Sequence, residues 1–273
     1  MGSMERFDFD EVEGLRVGRF GAKLNTTCIL YRIEETIIDT GPANQWAKVL
    51  YFLKERDVHS VLLTHHHEDH SGNARRLNRK LNADIFSHSH GQEILKKGFS
   101  VPLYRRLVWG KPGKVETLPM PEKIKAGPLV LDVIHCPGHA PDMACFLEAQ
   151  RGWLFTGDMY ISGRPRFLRS DEDPNEQIKS LTHLLTLQFD TLLCSHRGIV
   201  LDGYTAMREK LKYLVTLREQ VYYYLDKGDS HKQITRRMLG REEWTAHISG
   251  GEFSKRNFVK AFAADRRKGH MSH

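Results

Sequence analysis

The sequence predicts an α/β fold in which helices cover a sheet. Apolar stretches of strand length alternate with segments of helical periodicity as far as residue 203. Histidine or aspartate follows several of these stretches directly, as expected where strands end at a functional edge. From Tyr204 onward the pattern is helical. We therefore predict a catalytic domain at residues 4–203 and a helical C-terminal extension at residues 204–273.

The elements of the first half are predicted from short apolar runs and their spacing. Two strands at 28–33 and 36–38 flank the polar pair Glu34-Glu35 as the arms of a hairpin. A helix is predicted at 45–54, where apolar side chains recur every three or four residues. A buried strand, a helix, a strand and a short helix follow at 58–63, 71–81, 83–86 and 92–97.

Residues 99–121 differ from their surroundings. They contain four prolines and few periodic apolar positions, which predicts a long loop or lid. Strands are predicted again where apolar runs are bounded by turn residues, at 129–135, 143–147, 153–156 and 191–194. Amphipathic spacing predicts the remaining helices at 175–188, 210–226, 231–239 and 254–264.

The composition excludes some classes of protein. Hydrophobic residues make up 40% of the 273 and charged residues 27%, which favours a globular protein over a disordered one. The four cysteines form no Cys-x-x-Cys pair and lie in apolar stretches, as buried thiols in a reducing compartment do. With no apolar run of about 20 residues and no leader pattern, we predict a cytoplasmic protein without a membrane span.

The run Thr-His-His-His-Glu-Asp-His at 64–70 follows the strand at 58–63 and predicts a metal site. Alternation along an extended chain puts His65 and His67 on the same side, and the next turn lets Asp69 and His70 face a second point. Imidazole and carboxylate are ligands for zinc, iron or manganese. The interleaved His66 and Glu68 are predicted to point away from the metals, at a supporting or a surface position.

Other strands also end in candidate ligands. The strand at 129–135 is followed by His139, the strand at 153–156 by Asp158 and the strand at 191–194 by His196, each with a glycine nearby. Three further histidines are predicted to have lesser roles: His88 and His90 as polar residues at a strand end or pocket rim, and His135 as a hydrogen-bonded structural residue.

At this point the chain resembles the metallo-β-lactamase-fold hydrolases. The matching motifs are Asp-Thr-Gly at 39–41, His-x-His-x-Asp-His at 65–70, Pro-Gly-His at 137–139, Thr-Gly-Asp at 156–158 and Ser-His at 195–196. The resemblance implies a four-layer αββα sandwich. It also implies two groups of metal ligands and a bridging carboxylate: His65, His67 and His139 on one ion, Asp69, His70 and His196 on the other, and Asp158 between them.

Such a ligand set suits two divalent ions, with Zn²⁺ expected first and Mn²⁺ or iron as alternatives. A dinuclear pair binds a hydroxide at neutral pH and polarises a scissile carbonyl or phosphoryl oxygen. Asp69 is predicted to orient that hydroxide, and Tyr160 to donate a hydrogen bond to a substrate oxyanion. Three arginines in the next loop either clamp an anionic substrate or form an exposed basic loop: Arg164, Arg166 and Arg169.

The helical C-terminal part resembles that of glyoxalase II-like and related broad hydrolases. We therefore predict a small-molecule ester, thioester or lactone as the substrate. An RNA or DNA phosphodiesterase is the alternative, which the net charge of +7 and the basic run at 255–268 favour weakly. A mononuclear iron persulfide dioxygenase is a third, less favoured prediction.

Overall fold

The computed structural model describes residues 4–21 and 26–270, with side chains as far as Arg266. In these residues the strands are β1 (Met4–Phe9), β2 (Val12–Gly18), β3 (Thr27–Ile33), β4 (Thr36–Ile38), β5 (Ser60–Leu62), β6 (Asp84–Ser87), β7 (Leu118–Pro119), β8 (Lys123–Ala126), β9 (Leu129–His135), β10 (Ala144–Glu148), β11 (Trp153–Gly157), β12 (Leu168–Arg169), β13 (Thr191–Cys194), β14 (Gly198–Val200) and β15 (Phe253–Ser254). The helices are α1 (Trp46–Leu53), α2 (Ala74–Leu81), α3 (Ser89–Lys97), α4 (Leu103–Trp109), α5 (Pro174–Leu184), α6 (Gly203–Asp226), α7 (His231–Met238), α8 (Trp244–Ile248) and α9 (Arg256–His270).

The chain forms two compact units. The first contains the described residues up to Cys136 together with Pro141–Asp158 and Gln188–Gly203. The second contains Pro137–Ala140, Met159–Leu187 and the residues from Tyr204 onward. The predicted extension at 204–273 therefore belongs to a unit that also takes two earlier segments. The division of the chain into domains at residues 203 and 204 stays a prediction.

The first unit contains two sheets. One has the strand order β1-β2-β3-β4-β5-β6-β7, antiparallel as far as β4 and parallel from β4 onward. The other has the order β14-β13-β11-β10-β9-β8, in which β11 and β13 are parallel and the other neighbours antiparallel. Strands β3 and β4 are buried along their whole length. Burial on both faces explains why their sequences are nearly continuous apolar runs.

Two apolar cores account for this burial. One lies between the first sheet and the helices α1 to α3, and includes Leu30, Phe52 and Leu77. The other lies between the two sheets, where Tyr31 of β3 meets Phe155 of β11 with ring centroids 5.5 Å apart in an edge-to-face arrangement. The helix–sheet–sheet order of this unit follows from the apolar faces that each element must bury.

The second unit is mainly helical. Helix α5 is capped at its N-terminus by Asp173, whose carboxylate accepts hydrogen bonds from the backbone amides of Asn175 and Glu176. Helix α9 contacts both α5 and α7 and buries Phe258 and Phe262. Strands β12 and β15 pair in a short antiparallel ribbon. Among the described helices of either unit, none combines the length and the apolar character that crossing a bilayer requires.

Several differences from the sequence predictions concern whole elements, and the strands β8, β12, β14 and β15 and the helix α8 were not predicted. The hairpin β1–β2 was not predicted, although charged residues alternate with its apolar ones as they do in half-buried strands. The predicted long loop at 99–121 is wrong in part, since it contains the helix α4 and the strand β7. Helix α6 begins at Gly203, seven residues before the predicted start at Lys210. The other predicted strands and helices are present with ends that differ by a few residues.

Candidate metal centre

The first unit brings four strand ends to one place. Strands β4 and β5 are parallel neighbours in one sheet, and β11 and β13 are parallel neighbours in the other. Parallel neighbours present their carboxyl ends at the same edge. The residues that follow these ends supply the donors: Asp39 after β4, His65 to His70 after β5, Asp158 after β11 and His196 after β13.

His70 and His196 direct their Nε2 atoms at the same two carboxylates. His70 Nε2 lies 3.4 Å from Asp158 Oδ1 and 3.7 Å from Asp69 Oδ2. His196 Nε2 lies 3.2 Å from Asp158 Oδ1 and 3.4 Å from Asp69 Oδ2. All four residues are buried. Asp158 thus faces the imidazoles of both His70 and His196, and its predicted role as a bridge stays a prediction.

The other nitrogen of each ring is held by the protein. His196 Nδ1 donates a 2.6 Å hydrogen bond to the backbone oxygen of Thr27. His70 Nδ1 donates a 2.7 Å hydrogen bond to Asp39 Oδ2. A donating Nδ1–H leaves the lone pair of the neutral ring on Nε2, toward the carboxylates. Outer hydrogen bonds of this kind orient metal-ligating histidines.

Asp39 organises the buried end of the centre. Its carboxylate accepts hydrogen bonds from Thr64, at the backbone amide and at the hydroxyl, and from the Ser195 hydroxyl at 3.2 Å. Its own backbone is in the left-handed region, with φ of 62°. A non-glycine residue in that region marks a position that its surroundings hold firmly. In the sequence, Asp39 is recognisable only as part of a motif, and its contact with His70 was not predicted.

His65 and His67 form a second pair of imidazoles. His65 Nε2 lies 2.8 Å from His67 Nδ1, and both rings are almost fully buried. His65 Nδ1 lies 3.0 Å from the Thr64 hydroxyl. The predicted placement of both rings on one side of the chain therefore agrees with the geometry. One nitrogen of His65 also lies within 4.8 Å of donor atoms of His70 and Asp158.

Opposite charges face one another across this cluster. Burial alone would raise the pKa of a carboxyl group, yet His70 and His196 lower the pKa of Asp69 to about 2. The same two imidazoles hold the pKa of Asp158 well below its usual range. Although burial opposes charge on an imidazole, Asp158 raises the pKa of both His70 and His196 well above the ordinary value. The cluster therefore favours positive charge between its carboxylates.

These residues fit divalent metal ions. In the described part of the chain, His70 Nε2 is buried and has no hydrogen-bond partner, although it faces two carboxylates. Donor atoms of Asp69, His70 and His196 lie within 4.8 Å of one another. Imidazole and carboxylate donors at this spacing suit zinc, manganese or iron. A bound cation would provide the positive charge that the carboxylates favour.

Two predicted site residues belong to the second unit. His139 is buried, and its Nδ1 lies 3.3 Å from Glu172 Oε2. Tyr160 is 5% exposed. Their roles, as the third ligand of the first ion and as an oxyanion donor, stay predictions. Of the loop arginines, Arg169 is buried and bonded to Asp171, and the exposed Arg166 pairs with Glu243, so neither is a free cation.

His66 and Glu68 are tied to specific partners rather than exposed. His66 Nδ1 lies 2.7 Å from Asp142 Oδ1. The fully buried Glu68 accepts two hydrogen bonds of 2.6 Å from the Arg105 guanidinium. Burial and the neighbouring Asp69 raise the pKa of Glu68, and Arg105 opposes that rise. Of the two predicted alternatives, a supporting position is therefore correct. Neither partner could be identified from spacing along the chain.

The sequence model of the metallo-beta-lactamase superfamily matches residues 23–196, which is more than half of the chain and includes the strand ends described above. The chain belongs to the metallo-beta-lactamase superfamily. The predicted resemblance to this family is therefore confirmed.

Relatives by sequence lie at 26–33% identity. The lactamase-like protein aptB of Emericella nidulans is 26% identical over 70% of this chain, and the chain spans 57% of the length of aptB. The hydroxyacylglutathione hydrolase GloC of Haemophilus influenzae is 28% identical over 59% of this chain and 79% of its own. The thioesterase pkgB of Emericella nidulans is 33% identical over 45% of this chain and 31% of its own.

Solved structures confirm the fold. A metallo-beta-lactamase family protein from Thermus thermophilus has a TM-score of 0.67 at 20% identity, covering 89% of each chain. A beta-lactamase domain protein from Burkholderia ambifaria has a TM-score of 0.68 at 19% identity, covering 95% of this chain and 89% of its own. The predicted metallo-β-lactamase fold with C-terminal helices is thus confirmed. At the level of the superfamily, the prediction of a metallo-hydrolase is confirmed as well.

Proposed function

We propose that this protein is a metal-dependent hydrolase of small-molecule thioesters, esters or lactones. The observation that carries the proposal is the convergence of Asp69, His70, Asp158 and His196 in one buried cluster at the strand ends. Relatives named as a hydroxyacylglutathione hydrolase and as a thioesterase favour an acyl substrate with a sulfur leaving group. The particular substrate is open, since fold alone does not determine it.

Two divalent ions, with zinc preferred, would be divided between two ligand groups. His65, His67 and His139 would hold one ion, and Asp69, His70 and His196 the other. Asp158 would contact both, because one of its carboxylate oxygens lies within 4.8 Å of ring nitrogens of both His65 and His70, which are assigned to different ions. When bound, such a pair supplies hydroxide at neutral pH and polarises the acyl carbonyl.

The protein residues would position and stabilise the reacting groups. The Asp69 carboxylate, kept ionised, would accept a hydrogen bond from the attacking water and direct its lone pair at the acyl carbon. Tyr160 would donate a hydrogen bond to the carbonyl oxygen as negative charge develops there. The attacking water would supply the oxygen that forms the new bond to the acyl carbon and the proton that the leaving sulfur or oxygen takes up as the old bond breaks, so no covalent bond to the protein is needed.

A panel of substrates tests this proposal. The protein, reconstituted separately with zinc, manganese and iron, is assayed with acyl-glutathione and other acyl thioesters, lactones, bis-p-nitrophenyl phosphate and a single-stranded RNA. We expect hydrolysis of the carbonyl substrates to be fastest. For variants of the candidate metal ligands, His59→Gln is the matched control. His59 is an exposed histidine whose ring lies 2.9 Å from the Glu35 carboxylate.

Each other outcome has a defined meaning. Faster turnover of the phosphodiester or the RNA would overturn the acyl substrate and support the nuclease alternative. Oxygen consumption with one equivalent of iron would support a dioxygenase instead. Absence of hydrolysis with every metal would overturn the proposed hydrolase activity itself.

A further inference from the structure

A second group of histidines lies outside the centre described above, in the first unit. His88 follows β6 and precedes α3, His90 is in the first turn of α3, and His135 is the last residue of β9. One ring nitrogen from each lies within 4.8 Å of the other two. His88 is half-buried, and His90 and His135 are exposed. None of the three is assigned to the predicted dinuclear centre.

The three rings are in direct contact. His88 and His135 are stacked, with centroids 3.8 Å apart and planes inclined by 8°. The His90 ring lies 5.0 Å from the His88 ring and 5.5 Å from the His135 ring. The two strands that bring these residues together belong to different sheets, since β6 is in the first and β9 in the second.

One backbone oxygen fixes the protons on two of the rings. Pro141 O lies 2.9 Å from His135 Nε2 and 3.2 Å from His90 Nδ1. A carbonyl oxygen only accepts, so both of these nitrogens carry hydrogen. In the neutral rings, the lone pairs are then on His135 Nδ1 and His90 Nε2. A hydrogen bond from the other nitrogen to a backbone carbonyl is typical of metal-ligating histidines.

The surroundings favour neutral imidazoles beside a negative charge. Burial, together with the neighbouring His135 and His90 rings, lowers the pKa of His88. Asp142 follows Pro141 directly, is 1% exposed and acts electrostatically on His88. Its Oδ2 atom has no hydrogen-bond partner in the described part of the chain. Neutral nitrogen donors close to a buried carboxylate are a suitable environment for a cation.

We propose that His88, His90 and His135 form a separate binding site for a divalent transition-metal ion such as Zn²⁺, Ni²⁺ or Cu²⁺. Three imidazoles suit these ions, and the exposed side leaves further positions for water or an external ligand. Ligands about 2.0–2.1 Å from zinc are roughly 3.3 Å apart in a tetrahedron, so the rings must rotate inward on binding. The exposure of His90 and His135 permits that rotation.

An ion at this site would join the two sheets at their edge. It would connect the start of α3 to the end of β9, next to the segment Pro141-Asp142. Asp142 is hydrogen-bonded to His66, which lies between the predicted ligands His65 and His67. Binding of an ion by His88, His90 and His135 is therefore expected to stabilise the segment Pro141-Asp142, which supports the dinuclear centre.

Metal counting tests the proposal. The protein is dialysed to equilibrium against buffered Zn²⁺ at increasing free concentration, and bound zinc is measured by elemental analysis. We expect one equivalent of zinc beyond those of the dinuclear centre. We expect the variant His90→Gln/His135→Gln to lose only that additional equivalent. The matched control His59→Gln/His183→Gln removes two exposed histidines elsewhere. Equal zinc content in the cluster variant and the wild type would overturn the site.

A second measurement does not depend on the variants. In ¹⁵N-labelled wild-type protein, a Zn²⁺ titration continued past the inner equivalents should shift or broaden the ring signals of His88, His90 and His135. Cu²⁺ at the same site should give an electron paramagnetic resonance spectrum with coupling to three nitrogens. If those ring signals stay unchanged while other histidines respond, the proposal is wrong. The result is independent of hydrolytic activity, so it does not depend on the proposed function.

Discussion

The Asp39 carboxylate accepts hydrogen bonds from several buried residues of the centre. Its two carboxylate oxygens serve Thr64, Ser195 and His70, all buried. Because a carboxylate only accepts, it fixes the proton of His70 on Nδ1 and leaves Nε2 directed at Asp69 and Asp158. Negative charge behind an imidazole also raises its basicity as a ligand. The orientation of His70 therefore depends on a residue that need not touch an ion.

Asp39→Asn tests this dependence. The amide replaces one acceptor oxygen by a donor, which must then face either His70 Nδ1 or the amide and hydroxyl of Thr64. We expect the affinity for the more weakly held ion to fall about 10–100-fold. Competition with a chromogenic chelator measures it, and Asp132→Asn, which changes a partly exposed carboxylate paired with Lys123, is the control. Unchanged affinity in a folded variant would contradict the assigned role.

Asp158→Ala tests the proposed bridge. Removal of this carboxylate takes away the group that lies within 3.4 Å of both His70 Nε2 and His196 Nε2. We expect bound metal and hydrolysis to be lost together, because both ions would share this oxygen donor. Elemental analysis and the thioester assay are carried out on the same preparation. Wild-type turnover in this variant would show that the bridge is misassigned.

The candidate ligands of the centre could be predicted from the sequence, but the residues that hydrogen-bond to them and to their neighbours could not. The spacing of His65, His67, Asp69 and His70, with a glycine beside Asp158, placed the donors at strand ends. The contact between Asp39 and His70 depends on β4 and β5 being parallel neighbours. The partners of Glu68 and His66 depend on α4 and on the loop before β10. Such contacts are fixed by tertiary packing, which motif spacing does not encode.

At the scale of elements, α4 is anchored to the histidine-containing segment. Arg105 of α4 donates two hydrogen bonds to Glu68, and both side chains are almost fully buried. The Trp109 ring of the same helix lies 6.3 Å from the His196 ring. The region at 99–121 is therefore fastened to the centre by a buried ion pair, and its helix is not a loosely attached flap.

Arg105→Met should destabilise the protein strongly, because it leaves the Glu68 carboxylate buried without its cation. Breaking one side of a buried pair costs about 3–5 kcal/mol. We expect the double variant Arg105→Met/Glu68→Gln to recover a large part of that loss. Urea unfolding followed by circular dichroism gives both values. If Arg105→Met alone were as stable as the wild type, the ion pair of Arg105 and Glu68 would contribute little to the free energy of unfolding.

Helix α4 was missed because its signals are short and mixed. It has seven residues, begins after Pro102 and ends at Gly110, where φ is 87°. Seven residues give too few turns for apolar periodicity to exceed chance. By contrast, α5 has 11 residues, and its amphipathic spacing is long enough to predict it. The hairpin β1–β2 was missed even though its apolar and charged side chains alternate as in half-buried strands.

At the scale of the whole molecule, both sheets of the first unit contribute donors to one cluster. Asp69 and His70 follow a strand of one sheet, and Asp158 and His196 follow strands of the other. Bound ions would therefore cross-link the sheets. Ligands that bind only the folded chain stabilise it by mass action.

Removal of the metal should lower the thermal stability and the activity together. At free zinc about 1,000 times the dissociation constant, the stabilisation is about 4 kcal/mol, or roughly 10 °C in Tm for a unit of this size. Differential scanning calorimetry is run on protein treated with chelator and again after zinc is restored. A Tm that is unchanged by both the chelator and the restored zinc would contradict cross-linking of the sheets by ions.

The division into two compact units could not be predicted, because it does not follow chain order. Residues 137–140 and 159–187 cluster with the C-terminal helices, whereas residues 141–158 remain with the sheets. The change from mixed to helical pattern near Tyr204 is visible in the sequence, and α6 does begin there. Which earlier segments join those helices depends on packing between residues far apart in the chain.

The order of the donors along the chain has a consequence for biosynthesis. His65 is translated early, whereas Asp158 and His196 leave the ribosome much later, after most of both sheets. A nascent polypeptide therefore carries the histidine-rich motif well before the later donors of the proposed metal site have been synthesised. In the proposed assignment, the ion of Asp69, His70 and His196 could acquire all of its ligands only after residue 196 has been synthesised, and a product truncated before that residue would expose the early histidines without their later partners.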